Sequence, residues 1–391
     1  MLIIWEKFYG LSNIGHYHTQ IKAIHNLVPE AKMIILCTKN AKIIDTFLSK
    51  EQVISCLYEK KIIAKRPKHY SKKIQESIDE LFQICKNKRK EILVPSADYY
   101  DFITVIEIAN DASSSIIFHV RVLNIKDIQK LSYKYIESLR RHIIQGKIIL
   151  LSETDNLKRY LWGKFEIKAE HSFHLPCAIL PDHIPKIKDA KKQKVKILFA
   201  GGLRGEKGYY RLPEIFRVFS QISTTYKEHI SVEFLLEKND KISKGILKRI
   251  LAFKSVYTEI MIANLKKKAI TKNISFKRFQ PSFDDNDYIK LIDDADILLL
   301  PYKFKLYQNR GSGVIADGVL AGKIFIYTQG VGMESFLKFG NGLPANSSAN
   351  FAINIMKIIL NLESFNQKTL VARDEYIRSL NETKLYLKRL L

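Results

Sequence analysis

No stretch of the sequence approaches the roughly 18 consecutive apolar residues that a membrane-crossing helix needs, so no spanning helix is expected. The opening, Met1-Leu2-Ile3-Ile4-Trp5-Glu6, lacks the positive start and long apolar core of a secretion signal, and the expected location is the cytoplasm. Cysteine is scarce. Cys37, Cys56, Cys85 and Cys177 are widely scattered and make no metal-ligand spacing, so reduced core thiols are expected and a zinc site is not. No segment repeats at a solenoid period. Acidic residues are outnumbered 40 to 64 by Lys and Arg, and the net charge of +24 calls for an anionic partner: a phosphate-rich substrate, an acidic lipid surface or nucleic acid.

What the chain does have is 391 residues with 46% hydrophobic content, enough for two domains with separate cores. Leu2 to Trp5 read as a buried strand running into Tyr9-Gly10-Leu11-Ser12-Asn13-Ile14-Gly15-His16, after which Ile21, Ala23, Ile24 and Leu27 fall at helical spacing. Strand, glycine loop and helix build a ligand-binding edge in open α/β sheets, so Gly10, Asn13, Gly15 and His16 are candidate acceptor-side residues. The loop lacks the three glycines of a dinucleotide fingerprint, and no acidic residue ends the second strand, Met33 to Cys37; a nicotinamide cofactor is disfavoured.

Further strands are expected at Ile92 to Val94, Ile116 to His119 and Lys147 to Ser152, the last followed by Glu153-Thr154. Between Lys60 and Lys90, eleven Lys or Arg face three acidic residues, and Ile74, Ile78, Leu81, Phe82 and Cys85 recur at helical spacing. This basic amphipathic helix either packs its apolar face inward or meets a lipid surface or anionic acceptor. His119 and Arg121 point the same way from their strand. His119 is either a satisfied structural residue or, at a strand end, a cleft residue.

Pro181-Asp182-His183-Ile184-Pro185 and the lysine-rich 186–194 read as a linker. A new α/β pattern then opens with Val195 to Ala200 and Gly201-Gly202-Leu203-Arg204-Gly205-Glu206-Lys207-Gly208. Arg204 and Lys207 stand together after this strand, either as a clamp for a diphosphate or as two more solvated charges. Strands at Val232 to Leu236, Ile297 to Leu300 and Ile324 to Tyr327 follow, with a lysine-rich helical stretch over 242–269. The acidic clusters at 284–287 and 293–296 read as a helix cap and strand flanks rather than a metal site, so no metal is expected. After Pro301 comes Arg310-Gly311-Ser312-Gly313 and a short apolar helix ended by Gly322. Glycines around a serine at a helix start can present backbone N–H groups and the positive end of the helix dipole to a phosphate, although a tight turn also needs glycine. Asp317, one turn in, can accept from ribose hydroxyls or simply favour the helix start.

Three segments carry a resemblance to a known family. Leu198 to Gly208, Ala295 to Tyr302, and Asp317-Gly318-Val319-Leu320-Ala321-Gly322-Lys323 resemble the retaining glycosyltransferases of family four, which have the GT-B fold. The resemblance implies an α/β architecture of two Rossmann-like domains facing a central cleft. It implies that Arg204 and Lys207 hold the donor diphosphate and, with His119 as a cleft histidine, form the catalytic set. Gly201, Gly202, Arg310, Gly311, Ser312, Gly313 and Asp317 would bind the donor, Asp317 at the ribose. The family's two glutamates eight positions apart become Asn309 and Asp317, while Tyr307 to Gly313 is similar to a subgroup reading Tyr, Arg, Ser-Gly.

The expectation is therefore a metal-independent, retaining glycosyltransferase with no cofactor beyond its nucleoside-diphosphate sugar. Its acceptor would be a surface polysaccharide, lipopolysaccharide or lipid-linked glycan, at an anionic membrane face if the protein is peripheral. The alternatives are a DNA-modifying glucosyltransferase, with nucleic acid the lesser partner, and a non-catalytic binder of the same fold. The expected domains are 1–183 for the acceptor and 184–369 for the nucleotide sugar, with a helix over 370–391 that can pack back on the first.

Overall fold

The computed structural model describes residues 1–7, 9, 16–38, 53–58, 63–64, 66–85, 90–186, 194–200, 204–225, 231–237, 274–280 and 285–391. These form two units. The first comprises Met1–Cys177, Asn309–Gly311 and Ser379–Leu391, the second Ala178–Gln308 and Ser312–Arg378.

Runs of Ile, Leu and Val become the central parallel strands, where both faces are covered, and less apolar strands flank them at the edges. In the first unit these are β1 (Leu2–Trp5), β2 (Met33–Thr38), β3 (Val53–Leu57), β4 (Glu91–Ala97), β5 (Ile117–Val122), β6 (Ile148–Ser152) and β7 (His171–Ser172). They form a seven-stranded sheet in the order β3-β2-β1-β4-β5-β6-β7. Alternation along β1 divides the core: Ile3 and Trp5 join Phe102, Ile106 and Phe118 on one face, and Leu2 and Ile4 join Ile21, Ile24, Leu387 and Leu390 on the other. The basic helix is Pro67–Cys85, and it buries Ile74, Ile78, Leu81 and Phe82 in the first of these clusters. Its apolar face is thus spent on the core.

The second unit holds β8 (Val195–Phe199), β9 (Val232–Glu237), β10 (Ile274–Phe279), β11 (Ile297–Leu300), β12 (Ile324–Thr328) and β13 (Gly342–Ala345), ordered β10-β9-β8-β11-β12-β13. The chain moves outward from β8 through β10 and returns to β11 on the other side of β8. The β8/β11 pair is therefore a switch point, the kind of place where open α/β sheets bind ligands. Ile297, Leu298 and Leu299 pair with Ile197, Leu198 and Phe199, so these two loops start level with each other. In the first unit β1 and β4 are the corresponding pair.

The last helix runs from Leu362 to Arg389, longer at its start than the sequence pattern indicated. The stretch 242–269 and Asp284 lie outside the described residues. No helix among the described residues is long and apolar enough to cross a membrane.

Candidate active site

After β8 the backbone passes Arg204 and forms a single 3-10 turn, Gly205–Lys207. Gly208 follows with φ 78°, and a Cβ there would lie 1.7 Å from the Pro301 carbonyl oxygen at the end of β11. Only glycine allows that approach. The Lys303 N–H donates to the Glu206 carbonyl at 3.0 Å, so the basic turn is fastened to the chain leaving β11. Arg204 is well exposed and pairs with Glu206 at 3.3 Å.

Lys207 points inward and is buried. Its ammonium sits 4.1 Å from the centroid of the Tyr302 ring and 4.6 Å from that of Tyr307, and the two rings meet at a tilt of 38° with centroids 4.3 Å apart. The Tyr302 hydroxyl is hydrogen bonded to the Ser312 hydroxyl at 3.2 Å. Ser312 precedes the helix Gly313–Leu320, whose first turn has no side-chain cap. The Ser312 N–H faces the Met333 sulfur at 3.2 Å, a weak, uncharged acceptor. One lysine and one uncapped helix start are thus joined through a single tyrosine at the switch point. Gly318 fixes this helix on the sheet, since a Cβ would meet Leu298 at 2.3 Å and Phe325 at 2.8 Å.

The other expected donor residues are not among these contacts. Gly201 and Gly202 fall outside the described residues. Arg310 and Gly311 belong to the first unit. There the Gly311 N–H donates to the Glu153 carboxylate at 3.2 Å, and that carboxylate fills the space a side chain on Gly311 would occupy. The Gly311 amide is committed to Glu153 rather than offered to a phosphate. Asp317 corrects the ribose reading. Its carboxyl is buried and accepts from the backbone N–H groups of Ala178 at 3.0 Å and Ile179 at 2.9 Å. Burial pushes it up to about 7, outweighing the amides of Ile179 and Ala178 and the Tyr288 side chain, all of which favour the charged form. It fastens the chain entering the second unit.

His119 is a further correction. Strand β5 continues to Val122, pairing Val120, Arg121 and Val122 with Leu150, Leu151 and Ser152, so His119 is in mid-strand. Its Nδ1 lies 2.6 Å from the Tyr386 hydroxyl, and its Nε2 lies 3.6 Å from the carboxylate of Glu91, the first residue of β4. Burial, with a lesser contribution from His171, lowers it to about 4, and the ring is neutral. It serves the docking of the last helix.

The polar group at the carboxyl edge of the first sheet is centred instead on Arg121. That guanidinium donates to Gln20 at 3.0 Å and to Glu153 at 2.9 Å. Beside the β1/β4 pair, the Lys7 ammonium lies 2.7 Å from Asp98 and 2.9 Å from Asp101. Burial opposes the Lys7 charge, but Asp101 and Asp98 outweigh it and its pKa is raised. Sequence reasoning assigned no role to Lys7, Gln20, Asp98 or Glu153, though each stands just after a strand or near a helix start. Gly10, Asn13 and Gly15 lie outside the described residues, as does the side chain of His16, which begins the helix His16–Leu27. Among the described residues no group of His, Cys, Asp and Glu could hold a metal ion.

No family model and no curated protein sequence matches the chain. Solved structures do. A trehalose-6-phosphate structure from E. coli bound with UDP-2-fluoro glucose superposes with a TM-score of 0.66 at 10% identity, over 100% of this chain and 98% of the other. A sucrose-phosphate synthase from Thermosynechococcus elongatus gives 0.64 at 10% identity, covering 100% and 97%. A glycosyltransferase from Rickettsia africae gives 0.63 at 15% identity, covering 100% and 98%. At such identities the likeness concerns the fold: two parallel α/β sheet units with the architecture of GT-B glycosyltransferases.

Proposed function

We propose that this chain transfers a sugar from a nucleoside-diphosphate sugar to an acceptor hydroxyl, with the donor held by the second unit. The observation that supports this reading is the meeting of Lys207, Tyr302 and the uncapped helix start at Ser312, on loops that flank the β8/β11 switch point. When the bond between the anomeric carbon and the diphosphate oxygen breaks, negative charge grows on the leaving diphosphate. A buried ammonium and the positive end of a helix are suited to stabilise it, and Arg204, exposed at the front of the same turn, can reach a phosphate bidentately. Preorganised donors of this kind lower the barrier by about 3 kcal/mol each in other enzymes.

The reaction would need no cofactor, because the donor carries its own activated bond. We read it as retaining and metal-independent, and NMR of the anomeric proton in the first-formed product tests retention. For the acceptor we propose a hydroxyl of a surface polysaccharide, lipopolysaccharide or lipid-linked glycan, supported by the net charge of +24. That charge equally suits a sugar phosphate, and two of the similar structures are named for phosphorylated sugars. Acceptor use with glycan-bearing anionic vesicles against free sugar phosphates separates the two.

The first experiment is a thermal-shift screen of UDP, GDP, ADP and dTDP sugars. At least one should raise the melting midpoint of the wild type and fail to do so for Lys207→Met. No stabilisation by any of them would sink the reading.

A further inference from the structure

We infer that Tyr302 is a positioning residue that sets where the Lys207 ammonium stands relative to the start of the helix Gly313–Leu320, and so tunes the grip on a diphosphate. The inference rests on the donor reading above. Three observations carry it. The face of the Tyr302 ring meets the Lys207 ammonium at 4.1 Å, while its hydroxyl meets Ser312 at 3.2 Å, so one side chain touches both parts of the anion site. Tyr302 itself is held: its ring packs at a tilt against Tyr307, centroids 4.3 Å apart, and its carbonyl accepts from the Thr328 hydroxyl at 2.8 Å. Tyr307 is anchored in turn, its carbonyl accepting from the Gly332 N–H at 2.7 Å.

The chemistry favours tyrosine for this task. An aromatic face attracts an ammonium through its quadrupole without bringing a formal negative charge, so the tyrosine orients the lysine without neutralising it. A carboxylate in the same place would orient the lysine and repel a phosphate. The hydroxyl then ties the ring to the residue whose backbone opens the helix, which keeps the two anion-binding elements in register. Tyr307 adds a second ring at 4.6 Å from the same ammonium, but only Tyr302 also reaches Ser312.

Calorimetry with whichever of UDP, GDP, ADP and dTDP the wild type binds best tests this. Removing a desolvated cation–π contact and its tie, as in Tyr302→Leu, should weaken binding about thirtyfold. Tyr302→Phe keeps the ring and loses only the hydroxyl bond, and should recover most of that loss, leaving a deficit of about fivefold. In a Lys207→Met background, Tyr302→Leu should cost no more than the roughly fivefold of the lost Ser312 bond, because the rest of its effect acts through the lysine. If the folded Tyr302→Leu protein bound as tightly as wild type, or weakened binding equally with and without Lys207, the positioning role would be wrong while the donor reading stood. If the wild type bound none of the four diphosphates, both would fall.

Discussion

Replacing Asp317 with asparagine should remove a pH dependence built into the second unit. The buried carboxyl titrates at about 7 in the fold, against an ordinary value of 3.8. Between those values the unfolded chain has released this proton and the folded chain still holds it. Rising pH therefore destabilises the fold over that window, and above it the penalty is constant. A gap of about three pH units corresponds to roughly 4 kcal/mol, an upper figure for a group that local opening can rehydrate. The amide of the Asp317→Asn variant would keep an oxygen for the Ala178 and Ile179 N–H groups, from which Asp317 accepts at 3.0 and 2.9 Å, and would carry no charge to desolvate. At pH 4 the variant and wild type should melt together. At pH 8 the variant should melt higher, by several degrees at about 2–4 °C per kcal/mol for a unit of this size. Differential scanning calorimetry from pH 4 to 8 provides the comparison. Parallel pH profiles for the two proteins would refute the assignment of a buried, proton-holding carboxyl, and an equal loss of stability at all pH values would mean that the asparagine side chain cannot make the two amide bonds.

Other substitutions test the remaining assignments. Gly208→Ala forces a side chain into the Pro301 carbonyl at a φ of 78°, and should cost more than the ~1 kcal/mol of a left-handed alanine alone, lowering the melting midpoint and donor binding together. His119→Gln should lower stability by about 1 kcal/mol through loss of the Tyr386 contact and leave kcat per folded molecule unchanged, measured by turnover after correction for the folded fraction. Arg121→Met leaves the Glu153 carboxylate without its cation and should destabilise the first unit by about 3 kcal/mol, read from its melting transition; a neutral result would remove Arg121 from any structural role.

The central strands were legible because each is a short apolar run that ends at Pro, Gly or a charged residue, as Ile297 to Leu300 ends at Pro301. Edge strands were less so: Val53–Leu57 and Gly342–Ala345 carry Ser, Gly or Pro and half-exposed positions, which blur the pattern. The Arg204 to Gly208 turn was readable since its spacing is local and its last glycine is required by contact with Pro301. His119 misled because a strand's end is hard to fix from pattern alone. With a rise of about 3.3 Å per residue, the two positions from His119 to Arg121 move a side chain about 7 Å, from the Tyr386 helix to the carboxyl edge. Asp317 misled for another reason. Its partners, Ala178 and Ile179, lie far earlier in the chain, and no local signal announces them. Tyr302 was hidden in plain view as the residue after a strand-ending proline, since its role depends on Lys207 and Ser312 arriving from opposite directions in the chain.

The most direct test of the account is the rate at which nucleoside diphosphate is released from the stabilising donor, with acceptor present, by wild type and by Lys207→Met, which keeps the length of the buried stem and removes the charge. A fall in kcat of about 10²- to 10³-fold, with the melting midpoint little changed, is the expected result for loss of a charge that acts on the leaving diphosphate. Equal release by the two folded proteins would contradict it.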